Sequence, residues 1–350
     1  DCENTTFSTI ASFLNQDTSS FEYDLLVIDE CSTVSNRDMV AILEKASFNK
    51  LLLVGDTYQI DSILFGNWFS LLRYFLPDYS VFELLNPYRT KDKYLLELWD
   101  KVRNMDETSK EIIERESYSL KVDATLLSTL KNDEVILCLN YDGLYGINNI
   151  NRFLQESNPN TAVSWGVHQY KINDPILYLD TERFHPIIHN NMKGIIRGIE
   201  IVDKGEVTER IQFDIEIQKK LNEYDVMWTG LELVDNSDDS KSIIRFCVNK
   251  LKSVDEDDYD PSSSTIIPFQ IAYAVSIHKA QGLEYNSVKI VITDEVEELV
   301  THNIFYTAIT RAREKLKIYW TPEVEEKVIN RIKPRDISND VEILKNYLSS

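Results

Sequence analysis

Two neighbouring carboxylates, Asp29 and Glu30, follow directly on an apolar run in "YDLLVIDECSTV". An acid pair at the end of a buried strand offers a place for a hydrated cation and a proton acceptor. Mg2+ takes oxygen ligands, keeps most of its waters and leans on substrate phosphates, so Asp29 alone is enough to hold it through water. The adjacent Glu30 can then polarise an attacking water. A second apolar run, "KLLLVGDTYQ", leads into Gly55, Asp56 and Gln59. A glutamine amide both donates and accepts, so Gln59 can touch a phosphate oxygen and a water together. The plain alternatives are strands that end in surface acids and an ordinary Gly-Asp turn.

Three later blocks add to this chemistry. Arg89 in "NPYRT" and Arg311 in "YTAITRARE" are planar, permanent cations with forked donors. Such groups suit the charge that spreads over a transferring phosphoryl group, although surface ion pairs use them equally well. In "SIHKAQGLEY", Ser276, His278 and Lys279 can donate to backbone phosphates. Gly282 permits close approach of the main chain, and Glu284 can accept from a ribose hydroxyl. For His278 the plain alternative is a helix-start residue.

Elements must bring these residues together. Apolar runs at 25–28 and 51–54, separated by a helix near 38–45, predict a parallel sheet buried on both faces. Residues 62–76 read as a core-facing helix, 81–85 as a third strand and 91–130 as mostly helical. "EVILCLN" opens a second α/β region near 131, with strands in "FQIAYAVS", "SVKIVIT" and "KLKIYW". "FYTAITRARE" reads as a helix, and the last thirty residues as a helical tail. Between 174 and 265 the texture shifts to short β-rich runs around tight turns, which predicts a small antiparallel barrel set into the second domain.

The totals bound the class. A chain of 350 residues with 43% hydrophobic content supports two or three domains. The net charge of −21 argues against a broadly basic surface but not against a local basic groove. The four cysteines are widely spaced and none forms CxxC, which predicts a reduced, cytoplasmic protein without a structural metal. No apolar run reaches the length of a membrane span, and no membrane partner is expected.

The five blocks, in this order and spacing, resemble the later motifs of superfamily 1 helicases. Asp29 and Glu30 look like motif II, and Gly55, Asp56 and Gln59 like motif III. Arg89 looks like the arginine of motif IV, 276–285 like motif V, and Tyr306 to Arg311 like motif VI. "DECSTV" and "LCLNYDGLYGINNINRFLQ" are similar to the RecD-like branch. The resemblance implies an α/β fold of RecA-like P-loop parallel sheets, with residues 1–130 in a first domain and 131–173 and 266–350 in a second. Residues 174–265 would be an inserted, SH3-like β-rich subdomain. It also implies a motor that uses ATP and Mg2+ and moves 5′→3′ on single-stranded DNA. In that pattern Asp29 binds Mg2+, Glu30 activates water and Gln59 couples hydrolysis to movement. Arg89 and Arg311 act as arginine fingers, Asp56, Gly282 and Glu284 sit at the nucleotide, and Ser276, His278 and Lys279 touch the strand. The sequence departs from the pattern in one respect: it contains no GxxxxGK[ST]. With Asp1 rather than Met at its head, the expectation is a piece that starts within the first RecA-like domain. An upstream segment or a partner chain would then complete the ATP site, and the chain alone would be inactive as an ATPase. The rival reading is a non-catalytic module that binds nucleic acid or a partner.

Overall fold

The two apolar runs that lead to the candidate acids form strands Phe21–Ile28 and Ala46–Leu53, paired in parallel with Ile28 opposite Leu53. The structure, a computed structural model, describes residues 4–16, 21–60, 66–85, 87–128, 133–179, 182–204, 208–251, 265–332 and 337–349. The chain divides into two compact units, one of residues 1–116, 300–310 and 326–350, the other of 117–299 and 311–325.

In the first unit, helix Asn36–Lys45 starts where the Ser35 hydroxyl accepts the Asp38 N–H at 3.1 Å. Such a cap satisfies one of the orphan donors of the first turn. The helix turns Met39 and Ile42 onto a small core with Ile28, Cys31 and Val34, and Leu26, Leu51 and Leu53 of the sheet pack against it. On the other sheet face Val27 and Leu52 stay half exposed, at 51% and 49%. Helices Lys93–Arg103 and Ser109–Arg115 pack on each other, and Leu95, Leu98, Val102, Ile112 and Ile113 are buried. Helix His302–Ile309 closes onto the first of these: the Trp99 indole donates to Ile309 O at 3.2 Å, and His302 Nε2 donates to Val102 O at 2.8 Å.

The second unit holds two larger sheets. One has five parallel strands in the order Ala274–Ser276, Glu134–Cys138, Tyr285–Val291, Ala312–Tyr319 and Ser119–Leu120. Its central strands are buried on both faces: Val135, Leu137, Val288 and Ile290 line one, and the other sets Ile136 and Cys138 beside the buried pair Lys289–Glu134 at 3.9 Å. The other has six antiparallel strands in the order Glu232–Asp238, Lys241–Leu251, Thr208–Ile217, Lys193–Lys204, Pro175–Tyr178 and Phe269–Ile271. It is built on alternation, with Ile211, Phe213 and Ile215 inward and Arg210, Gln212 and Asp214 outward. Its core is aromatic: Tyr170, Tyr178, Phe213, Phe246 and Phe269 meet mostly edge to face.

Several sequence expectations need correction. Residues 81–85 form no strand; they are irregular, and Phe82, Leu84 and Leu85 lie 86%, 88% and 74% exposed. A run of β-formers becomes a strand only when a neighbouring ladder takes its backbone groups. Of the helix over 62–76 only Trp68–Leu72 is helical, while 61–65 lie outside the described residues. Residues 91–130 give two short helices and then the edge strand Ser119–Leu120. "FQIAYAVS" divides between the two sheets. The helix expected over 305–314 stops at Ile309, so Arg313 and Glu314 belong to the following strand. Residues 252–264, at the end of the expected barrel segment, lie outside the described residues. Among the described residues no helix is long and apolar enough to cross a membrane.

Candidate functional site

In the first unit the candidate residues sit at the C-terminal ends of the two parallel strands. Val54 N–H donates to Ile28 O at 2.9 Å and Cys31 N–H to Val54 O at 2.8 Å, so the ladder runs on past both strand ends and binds the two loops side by side. Asp29 and Glu30 follow one strand and Asp56 and Gln59 the other. Asp29 and Glu30 are exposed, and Asp29 Oδ1 accepts the Glu30 N–H at 2.8 Å. Glu30 has φ 52°, in the left-handed region that side chains other than glycine seldom adopt. Its carbonyl accepts from both the backbone and the hydroxyl of Thr33, at 2.9 and 2.8 Å, which fixes the turn.

Asp56 is occupied in a different way. One carboxylate oxygen accepts the Tyr58 N–H at 3.0 Å and the other the Gln59 side-chain amide at 3.2 Å. Asp56 therefore orients Gln59, and the Gln59 Oε1 is left buried with no hydrogen-bond donor among the described residues. A buried acceptor without a donor is costly, and a bound water would satisfy it. Gln59 is further held by its carbonyl, which accepts from the Asn303 amide at 2.7 Å, while Ile60 N–H donates to Thr307 Oγ1 at 3.0 Å. Arg89 Nη1 donates to Thr310 O at 2.9 Å at the end of the same helix. Cys31, between the acids and the core, is not a nucleophile: burial, with Asp29 and Glu30 adding to it, pushes its thiol up to about 11.

Gly55 is where the loops touch. A Cβ there would stand 2.9 Å from Phe69 Cε1 and 3.0 Å from the Cys31 backbone nitrogen. Gly55→Ala should therefore destabilise by about 1–3 kcal/mol, the usual range for overpacking. Denaturant unfolding checks this; an unchanged midpoint would mean the loops part freely.

In the second unit the residues of 276–285 gather at the end of the parallel sheet. Ser276 is buried, and its hydroxyl accepts the Lys279 N–H at 3.1 Å. His278 is exposed. The Lys279 ammonium donates to Gln270 Oε1 at 2.8 Å. Gly282 has φ +76° and open space where a Cβ would be, so the main chain there is bare to a ligand. Glu284 pairs with Arg313 at 3.5 Å. Arg311 is completely buried, its Nη1 donating to Leu283 O at 3.2 Å and its own carbonyl accepting the Tyr285 N–H at 2.9 Å.

Four positioning residues escaped sequence reading. Asn303 and Thr307 hold the Gln59 loop. In the second unit Lys193 donates to Asp133 Oδ1 and to Glu284 O, both at 2.7 Å, and lies 4.4 Å from the centre of the Tyr285 ring. The other Asp133 oxygen accepts the Asn286 N–H at 3.1 Å. Lys193 belongs to the antiparallel sheet, so one ammonium ties that sheet to the 284–286 segment. Among the described residues no three His, Cys, Asp or Glu side chains cluster to hold a metal by themselves. An exposed aspartate with one free oxygen fits Mg2+ that draws its other ligands from water and phosphates.

The chain is similar to known proteins in both regions. The family model of the UvrD-like helicase C-terminal domain matches residues 271–319, and that of an AAA domain matches residues 3–118. The RecBCD enzyme subunit RecD of Buchnera aphidicola is 24% identical over 231 residues, 66% of this chain and 32% of that protein. The chain thus spans about a third of that relative's length. The ATP-dependent DNA helicase Pif1 of Campylobacter jejuni is 25% identical over 346 residues, 86% of this chain and 70% of that one. Among solved structures, Pif1 helicase from Bacteroides in complex with ADP-AlF3 and single-stranded DNA superposes with a TM-score of 0.52 at 14% identity. It covers 99% of this chain and 79% of that one. The shared fold is RecA-like, and in both matched regions the chain is similar to the RecD- and Pif1-like helicases of superfamily 1.

Proposed function

We propose that this chain carries the motor residues of an ATP-dependent DNA helicase that moves 5′→3′ on single-stranded DNA. The observation that carries the reading is the pair of loops at the ends of adjacent parallel strands. There Asp29 and Glu30 are exposed beside Asp56 and a Gln59 with an unspent buried acceptor. Asp29 would hold Mg2+ through water, and Mg2+ when bound offsets charge on the triphosphate. Glu30 takes the proton of the attacking water. Gln59 orients that water through Oε1 and passes its position to helix His302–Ile309 through Asn303. Arg89 and Arg311 stabilise the transferring phosphoryl group. Gly282 and Glu284 contact the nucleotide, and Ser276, His278 and Lys279 the strand. By domain, the two-stranded parallel sheet is the later part of a first RecA-like domain and the five-stranded sheet the second, with the antiparallel sheet as its insertion.

These 350 residues contain no GxxxxGK[ST], whose N–H groups and lysine cradle phosphates elsewhere. An upstream segment or a partner chain would supply that cradle. Residues 1–350 alone should therefore not hydrolyse ATP, even with Mg2+ and single-stranded DNA. A steady-state phosphate-release assay checks this, run beside a form joined to a phosphate-binding loop. DNA-stimulated turnover by the 350 residues, abolished by Glu30→Gln, would refute the need for a supplied loop.

A further inference from the structure

The main chain at Glu284 is held from the antiparallel sheet. Lys193 opens the strand Lys193–Lys204, and its ammonium donates to Glu284 O and to Asp133 Oδ1, both at 2.7 Å. Both partners of this ion pair are largely shielded, Lys193 with 21% and Asp133 with 13% of its side chain exposed. The same ammonium lies 4.4 Å from the centre of the Tyr285 ring, close enough for a cation to be drawn to the π face. Asp133 extends the hold. Its second carboxylate oxygen accepts the Asn286 N–H at 3.1 Å, and its carbonyl accepts the Ser287 N–H at 3.2 Å.

Regular pairing does little for this segment. Strand Tyr285–Val291 joins Glu134–Cys138 from Ser287 onward, and its register with Ala312–Tyr319 shifts between Tyr285 and Ser287. A cavity of about 510 Å3, lined from both large sheets, borders Asp133, Lys193, Tyr285, Asn286 and Arg313. A backbone beside a cavity is held less by packing, because atoms facing open space lack partners there. Polar contacts therefore set where Glu284 stands. Lys193 holds its carbonyl, Arg313 meets its carboxylate at 3.5 Å, and Arg311 Nη1 holds the preceding carbonyl, Leu283 O, at 3.2 Å. Arg311 and Arg313 belong to the parallel sheet, whereas Lys193 comes from the inserted one.

We propose that Lys193 is a positioning residue for the nucleotide: it fixes the main chain at Glu284 and thereby sets the affinity for the sugar of the bound nucleotide without entering the chemical step. This rests on Glu284 being a nucleotide contact, as the helicase reading has it. The consequence is selective, because a ligand that carries the phosphates but no sugar is indifferent to Lys193. The inserted sheet becomes a participant in nucleotide binding, joined to Glu284 through one ammonium.

The test has two parts. On the 350 residues, Lys193→Met keeps the length of the side chain and removes its charge, and amide hydrogen exchange over 284–287 should quicken. In the form joined to a phosphate-binding loop, Lys193→Met should raise KM for ATP by about tenfold, within the usual range for coupled sites, and leave kcat within about twofold. Inhibition by tripolyphosphate, which has the charges and no sugar, should be unchanged. Lys193→Arg, which can still donate to both oxygens, should recover most of the affinity. Because Lys193→Met strands the Asp133 carboxylate, Lys193→Met with Asp133→Asn is the second variant; it removes both charges and should keep the raised KM. If tripolyphosphate weakens as much as ATP, or if the second variant restores KM, Lys193 only supports the fold and the proposal is overturned. If exchange quickens while KM stays put, the segment is held but the nucleotide does not feel it; the proposal is overturned and the helicase reading stands. If the wild type with its phosphate-binding loop neither binds nor hydrolyses ATP, both fall.

Discussion

Glu30→Gln should leave Mg2+-nucleotide binding intact and cut ATP hydrolysis by about 10^2- to 10^4-fold, the range for loss of a positioned general base. The measurement belongs in a form of the protein that has its phosphate-binding loop, with binding and turnover followed separately. Gln is isosteric with Glu, so the left-handed turn at φ 52° and the Thr33 hydrogen bonds to the residue 30 carbonyl are unaffected. Only the ability to take a proton is lost. The exposed position of Glu30 argues that the substitution costs little stability. Turnover at the wild-type rate would place the base elsewhere.

Arg311→Ala should lower turnover by about 10^3-fold or more, as for an arginine finger, and Arg89→Ala should act in the same direction. The structure gives each arginine a second task that the experiment must separate. Arg311 is buried and supports Leu283 O, next to the bare Gly282 and to Glu284; Arg89 supports Thr310 O. Leaving a partly buried carbonyl without its donor costs up to about 1–3 kcal/mol of stability. Arg311→Lys keeps the charge but loses the fork. If the arginine acts on phosphate, Arg311→Lys stays folded and remains slow, and the rate loss far exceeds the stability loss. If its work is only to hold the 283–285 segment, turnover and unfolding midpoint should fall and recover together.

The placement of the acid pair and Gln59 after strand ends was legible because each follows an apolar run too short for a helix. Parallel pairing was legible for the same reason, since 25–28 and 51–54 are apolar without alternation, but the expected burial on both faces fails: Leu25, Val27 and Leu52 are about half exposed. Failures have two physical causes. At 81–85 the residues favour a strand, but strand formation depends on a partner that local sequence does not name. At 312–315 the strand begins with three exposed polar residues in a row after a buried alanine, so no alternation announces it and nothing local marks the end of the preceding helix. Asn303, Thr307 and Lys193 were invisible because each acts on a backbone group far away in the chain, and a backbone group carries no residue signature. The redirection of Asp56 toward Gln59 also needed coordinates, since a Gly-Asp turn looks alike whether its carboxylate faces a ligand or its own loop.

The Gln59 loop is held by Asn303, 244 residues further along the chain. Residues 300–310 therefore complete a unit whose strands were made near the beginning. During synthesis at roughly 5–20 residues per second, the ribosome needs on the order of 10–50 seconds to bridge that interval. Through that time Leu95, Leu98 and Val102 wait for their helical neighbour, and Ile60 N–H waits for Thr307. The second unit, continuous apart from its last strand, has most of its chain before the first can close. The order of birth is thus the reverse of the order of completion.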